Sequence, residues 1–219
     1  MSSETTFTAT FGSVSDTCTV TVGPSYLFYD DCTSDRSNEY SNQSIQASSK
    51  TNYLPLTYNS AGYYTIQATR NEGAHYAKWI DDVTGEDNLK FTCEVSTNTL
   101  SGTNRFGIVV GDGNYKSERW QFSNNVLECQ TMSNGSESMQ RSSTLSLSTD
   151  TWYRVEWVIS DTSYTFTVKN MSDTVLYTYT GTFSSSIITS STTKRYGLYY
   201  LNYSSTAIKK YRNIKVESL

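Results

Sequence analysis

The chain is poor in everything that would build helices, metal centres or a catalytic triad. Its 219 residues include two Pro, four Cys and one His. No segment keeps apolar residues at i, i+3, i+4 and i+7 over three turns, so amphipathic helices are excluded as main elements. No run of about 18 apolar residues exists, so membrane insertion by a helix is not expected. No basic run follows the chain, and the formal net charge is −4. A phosphate backbone would find nothing to pair with, which removes nucleic acid from the expected partners. The start, Met1-Ser2-Ser3-Glu4, lacks the charged-then-apolar order of a secretory signal. That leaves export by another route, as in virion assembly and lysis, or a fragment with an added start. Cys18, Cys32, Cys93 and Cys129 form no CxxC pair, which argues against zinc. Cys93 shares phase with Phe91 and Val95, and Cys129 with Leu127, so both are expected as small buried apolar side chains rather than disulfide partners.

What the chain does have is aromatic residues and a two-residue rhythm. Hydrophobic residues are 36% of the total and aromatics 14%, with 18 Tyr. Tyr, Thr and Val suit a pleated surface that is half buried, because a Tyr ring can be covered while its hydroxyl stays wet. Tyr153, Val155, Trp157 and Ile159 alternate with Arg154, Glu156 and Val158; Tyr164, Phe166 and Val168 alternate with Thr165, Thr167 and Lys169. Such alternation predicts strands with one face on a partner sheet and the other in water. Asn59-Ser60-Ala61-Gly62, Asp112-Gly113-Asn114, Asn124-Asn125 and Ser160-Asp161-Thr162 separate the runs as turns. The spacing predicts an all-β, antiparallel two-sheet sandwich.

A break falls at Gly23-Pro24-Ser25. Two short strands, 6–11 and 17–22, precede it, joined by Gly12-Ser13-Val14-Ser15. The phrase from Thr8 to Val22 resembles the last two strands of a bacterial Ig-like domain of the second group. The expected division is residues 1–23 as an Ig-like remnant or docking hairpin, and 24–219 as the sandwich. A lone hairpin is marginal in water, so it is expected to pack on the sandwich, to pair with another chain by strand addition, or to be disordered.

From residue 26 to 219 the order of landmarks resembles the concanavalin A-like lectin/glucanase superfamily, with its jelly-roll sandwich. The landmarks are Leu27-Phe28-Tyr29-Asp30-Asp31-Cys32, Gly62-Tyr63-Tyr64-Thr65-Ile66, Phe106-Gly107-Ile108-Val109-Val110, Trp152-Tyr153-Arg154-Val155-Glu156-Trp157, and the closing Tyr211-Arg212-Asn213-Ile214-Lys215-Val216. The resemblance implies a lectin, an adhesion module, a carbohydrate-binding module or a glycoside hydrolase, and fold alone does not choose among them. Retaining glycanases of the superfamily carry Glu-x-Asp-x-x-Glu on one strand, because two carboxylates must flank the scissile bond. Glu94, Glu118, Glu128 and Glu156 each stand alone on their strands, and the motif is absent. His75 is the one histidine, and nothing beside it marks a nucleophile elbow. The chain is therefore expected not to be an enzyme.

Sugar sites on sandwiches combine aromatic faces with amide and charged rims. The expected ligand-binding residues are Tyr64, Trp79, Arg119, Gln121, Arg154, Glu156 and Tyr200. Arg119 and Gln121 face away from the Trp120–Phe122 stripe, Arg154 and Glu156 away from the Tyr153–Ile159 stripe. If their strands are neighbours in one sheet, the four make a polar concave patch; the alternative is a solvated face of ion pairs. No cofactor is assigned, but a structural calcium at Asp30, Asp31 and Asn213 is a candidate, since modules of the resembled superfamily often hold one beside the closing strand. The expected function is non-catalytic glycan binding or adhesion on a virion or microbial surface, with a cell-surface glycan or polysaccharide as partner. The alternatives are a structural virion or surface-layer protein that docks other subunits through its hairpin, and a glycoside hydrolase.

Overall fold

The computed structural model describes residues 3–11, 14–22, 25–68, 72–101, 103–203 and 206–219. Gly23 and Pro24, where the domain boundary was expected, lie outside the described residues. In chain order the strands are β1 (Ser3–Phe11), β2 (Val14–Val22), β3 (Tyr26–Asp30), β4 (Tyr40–Ser44), β5 (Thr57–Asn59), β6 (Tyr63–Gln67), β7 (Ala74–Thr84), β8 (Asn88–Thr97) and β9 (Phe106–Gly111). They continue as β10 (Lys116–Ser123), β11 (Val126–Ser133), β12 (Ser136–Thr144), β13 (Tyr153–Ser160), β14 (Ser163–Asn170), β15 (Val175–Thr182), β16 (Arg195–Asn202) and β17 (Ile208–Ser218). One 3-10 turn, Ser37–Glu39, is the only helical element among the described residues.

Strands β1 and β2 form their own two-stranded sheet, in register from Ser3↔Val22 to Phe11↔Val14. The rest is a sandwich of two antiparallel sheets. One is seven-stranded, in the order β12-β11-β10-β9-β16-β7-β4; the other has eight strands, β15-β14-β13-β8-β17-β6-β5, with β3 paired to the far half of β17. The turn residues explain the hairpins. Asn124 and Asn125 (φ 44° and 62°) join β10 to β11, Asn134 and Gly135 (φ 47° and 89°) join β11 to β12, and Asp161 (φ 52°) helps join β13 to β14. Asn, Asp and Gly are the residues that tolerate this left-handed backbone.

The core lies between the sheets. Trp120 of β10 stacks flat on Phe166 of β14, ring centroids 4.4 Å apart at 3°. Trp157, Tyr164 and Phe183 close around Phe166 or each other. Cys32, Cys93 and Cys129 are free and buried, as expected for small apolar side chains; the side chain of Cys18 lies outside the described residues.

The two outer faces differ. On the eight-stranded sheet β13 and β14 alternate between buried and wetter residues, the predicted pattern. The seven-stranded sheet departs from it. On β10 Trp120 and Phe122 face the core, yet Ser117, Arg119 and Gln121 on the other side are buried as well. The reason is a row of glycines. Gly107, Gly111 and Gly197 share that outer face, and Cβ atoms added at Gly111 or Gly197 would lie 3.0 Å from the Trp79 ring. Without those Cβ atoms, large side chains lie flat on the sheet. Ile45, Ala77, Trp79, Val109 and Tyr199 make a second apolar cluster there.

Candidate functional site

The expected polar patch of four does not form. Strand β10 pairs with β9 and β11 in one sheet, and β13 with β8 and β14 in the other. Arg119 and Gln121 therefore project from one outer face of the sandwich, Arg154 and Glu156 from the opposite one. Arg154 and Glu156 line a groove of about 310 Å³ together with Glu94, Asn213 and Lys215. The charges there are already paired. Glu94 lies between Arg154 (3.4 Å) and Arg212 (2.7 Å), and Glu156 accepts both of its bonds from Lys169 (2.9 Å). Glu94 is buried and the other partners are half-buried, so these carboxylates are spent on the protein's own cations and leave few acceptors free for a ligand.

All three expected aromatics are buried, Tyr64 and Tyr200 between the sheets and Trp79 on the outer face of the seven-stranded sheet. Tyr64 is in the core and its hydroxyl accepts the Arg36 N–H at 2.8 Å; its neighbour Tyr63 is the one that faces out, beside Trp152. Tyr200 stacks on Tyr76 and accepts the Leu54 N–H at 3.1 Å. Trp79 is buried in the outer apolar cluster, donates its Nε1–H to Gln43 at 2.7 Å and lies under the Arg195 guanidinium. In each case the two-residue phase was readable but not which face the phase meets.

The calcium residues do not converge. Asp30 is buried, with Oδ1 accepting the Cys32 N–H at 2.9 Å and Oδ2 the Tyr40 hydroxyl at 3.0 Å. Asp31 is exposed and turned onto Thr33, and Asn213 sits at the break in the β17–β8 ladder, lining the charged groove. Among the described residues no group of three or more His, Cys, Asp or Glu could hold a metal.

A larger cleft than that groove lies elsewhere, between the free edges of the two sheets. Strand β12 ends the seven-stranded sheet and β15 the eight-stranded one, on the same side of the sandwich. The gap between them is about 580 Å³, within the usual range for small-ligand sites. Arg141 of β12 spans its mouth, its guanidinium 4.8 Å above the Tyr179 ring of β15 and its Nε–H donating to the Tyr179 hydroxyl at 3.1 Å. Gly181 makes this possible, since a Cβ there would lie 2.6 Å from the Tyr179 ring. Gln140, Thr182, Ser184 and Ser185 supply polar groups around the opening.

Glu118 forms the floor. It shares phase with Trp120 and Phe122 and so points between the sheets. Its Oε1 accepts the Tyr164 hydroxyl at 2.7 Å and the Cys129 thiol at 3.5 Å; its Oε2 accepts the Ser184 N–H at 3.2 Å. Burial pushes its pKa up, and these three bonds offset only part of that. A carboxyl whose folded pKa is raised stabilises most at pH below its unfolded value and loses that stability as pH rises through the raised one. Melting temperatures of the protein and of Glu118→Gln, followed from about pH 4 to about pH 8, should therefore diverge, the native protein losing ground with rising pH. Parallel curves would remove the burial argument. A Glu in the core phase of a strand was a signal already visible at Glu118. Arg141 and Tyr179 were not legible, because only the packing of the sheets brings β12 and β15 together.

The architecture is that of the lectin-like jelly rolls. No family model matches the chain, and no curated protein does. Among solved structures, it is similar to the CBM2 module of the evolved Dit of Lactobacillus casei BL23 phage J-1 (14% identity, 88% of this chain and 95% of that one, TM-score 0.61). It is also similar to the winged bean acidic lectin complexed with methyl-α-D-galactose (10%, 87% and 97%, TM-score 0.60). A third is a β-1,3-glucanase from Mycobacterium marinum (12%, 89% and 99%, TM-score 0.56). At these identities the likeness is one of fold.

Proposed function

We propose that the chain is a non-catalytic glycan-binding module, displayed outside the cell on a virion or microbial surface, and that the cleft between β12 and β15 is its sugar site. The observation that carries this is the Arg141 guanidinium stacked on Tyr179 above a buried carboxylate. A planar cation on an aromatic ring offers a pyranose a flat wall, and the surrounding hydroxyls and amide offer partners for sugar hydroxyls. Glu118 is the one carboxylate lining the cleft among the described residues. Glycosidases of the usual kind need a second acid about 5–9.5 Å away, which favours binding over hydrolysis. Carbohydrate-binding and lectin structures among the similar folds are consistent with the reading, and the phage Dit module with its display context. Arg141 is exposed, so Arg141→Ala should keep the melting temperature within about 2 °C. It should weaken glycan binding about tenfold or more, as read on a glycan array and then by calorimetry. Wild-type protein that binds no glycan and no whole cell would overturn the assignment.

A second reading concerns β1 and β2, whose described ladder joins them only to each other. It makes the hairpin a docking element for other virion or surface subunits. Removing residues 1–23 should then abolish assembly while the sandwich melts as before; assembly that ignores the deletion would end this reading.

A further inference from the structure

We propose that the outer face of the seven-stranded sheet holds a second site, one that reads a carboxylate, and that Glu137 occupies it in place of the ligand. The ligand class is a uronate-bearing saccharide; the saccharide part of that statement rests on the glycan-binding reading above, the carboxylate part on the geometry that follows.

Arg119 is wholly buried on this face, with its guanidinium 4.8 Å over the Tyr199 ring. Nε donates to Gln121 at 2.9 Å and Nη2 to Gln130 at 2.7 Å; Nη2 also donates to Glu137. A single oxygen of Glu137, Oε1, is the focus of three donors. Besides Arg119 these are His75 Nε2 at 3.4 Å and Arg105 Nη1 at 4.0 Å. The Tyr199 hydroxyl lies 2.8 Å from His75 Nδ1. Since the carboxylate can only accept, the imidazole turns Nε2–H toward it, and Nδ1 accepts a hydrogen bond from the Tyr199 hydroxyl. Burial first, then Arg119 and Arg105, keep His75 neutral, with its pKa lowered to about 2, so it acts here as a hydrogen-bond donor rather than as a cation.

Donor capacity is left over. Arg119 Nη1 and Arg105 Nε are both buried without a hydrogen-bond partner among the described residues. Glu137, tethered to its strand, brings one oxygen to the cluster. A carboxylate arriving from solvent is not tethered and can present two, the arrangement that guanidinium groups bind best. The tether itself is light. Glu137 lies on β12, an edge strand exposed along most of its length and hydrogen-bonded to β11 alone, with a register break between Cys129 and Gln130. Its side chain is 36% exposed, so a rotamer change frees the guanidinium groups without opening the sheet. Met139, two residues along on the same face and 49% exposed, offers an apolar surface for the sugar ring that carries the acid.

Glu137→Ala should raise affinity for oligogalacturonate at least tenfold over wild type, because the internal competitor is gone, while affinity for neutral oligosaccharides at the β12–β15 cleft stays unchanged. Adding Arg105→Gln to that variant should remove the gain. Glu137→Gln keeps the side-chain shape and guards against a folding defect in the Ala variant; it should give the same direction of change. Calorimetry with oligogalacturonate and with a neutral oligosaccharide separates the outcomes. Neutral sugar bound and uronate affinity unmoved in both Glu137 variants would overturn the carboxylate site and leave the glycan module standing. No saccharide of either kind bound by any variant would overturn both.

Discussion

Trp120→Ala is expected to cost about 4 kcal/mol of stability, in the range of large aromatic truncations in well-packed cores. For a chain of this size that is a fall in melting temperature of roughly 10 °C. The indole is the main aromatic contact between the sheets at the cleft end of the sandwich, beside the Glu118–Tyr164 hydrogen bond. It lies flat on Phe166, with the rings of Tyr177 and Tyr179 tilted against it at 5.8 and 5.7 Å. Losing it leaves a void lined by residues of β14 and β15 that are fixed by their own ladder and cannot collapse freely. Trp120→Phe separates packing from polarity. The Trp120 Nε1–H is buried without a partner among the described residues, so Phe discards a donor that gains nothing while keeping a ring on Phe166. The Phe variant should lose about 1–2 kcal/mol, less than half of the Ala cost. Equal losses in chemical denaturation would mean that ring stacking is not what joins the sheets here. The Ala variant should also loosen Tyr179, so weaker glycan binding at the cleft would accompany the lower stability.

How far the fold could be read in the sequence follows from which signals are local. The Asn124-Asn125 turn and the Trp157 stripe are local, and both are where the residue pattern puts them. The phase of Arg119 opposite Trp120 was equally readable. What the phase could not reveal is that the outer face of β10 is itself covered. That depends on Gly107 and Gly197, which sit in other strands and matter only because the sheet brings them beside β10 and β7. The same limit applies to the candidate sites. Glu118 announced itself as a charge in a core phase, but its partners Tyr164 and Ser184 are 46 and 66 residues away. Arg141 and Tyr179 come from the outermost strands of different sheets, and the order of strands in a sheet is not written in the period of any one of them. Tyr64 illustrates the smallest ambiguity. In a Tyr63-Tyr64 pair one ring must face out, and composition does not say which.

Acid should destabilise the protein through one residue more than any other. His75 is the chain's single histidine, and burial beside Arg119 and Arg105 lowers its pKa from 6.5 to about 2. The neighbouring Glu137 carboxylate, 3.4 Å away, would pull the other way, but the Arg119 guanidinium already holds it. With a depressed folded value, the stability tied to the neutral imidazole is complete above the unfolded pKa and drains away as pH falls toward the folded one. The slope is about 1.4 kcal/mol per pH unit, so acidification from about pH 6.5 to about pH 4 should cost about 3 kcal/mol from this side chain alone. His75→Asn keeps a polar group between Tyr199 and Glu137 but has nothing to protonate. Carboxylates such as Glu118 titrate in both proteins and cancel in the difference. Urea midpoints of the two proteins should therefore converge or cross as pH falls from 7 to about 4, with the wild type losing about 3 kcal/mol more than the variant. Because there is one imidazole, its NMR signals can be followed without assignment by mutation, and they should stay those of the neutral ring at pH 5 in the folded protein. An imidazole that titrates near 6.5 while the fold is intact would show that the outer face of the seven-stranded sheet admits water to His75, and the buried network around Arg119 would then have to be redrawn as a solvated one.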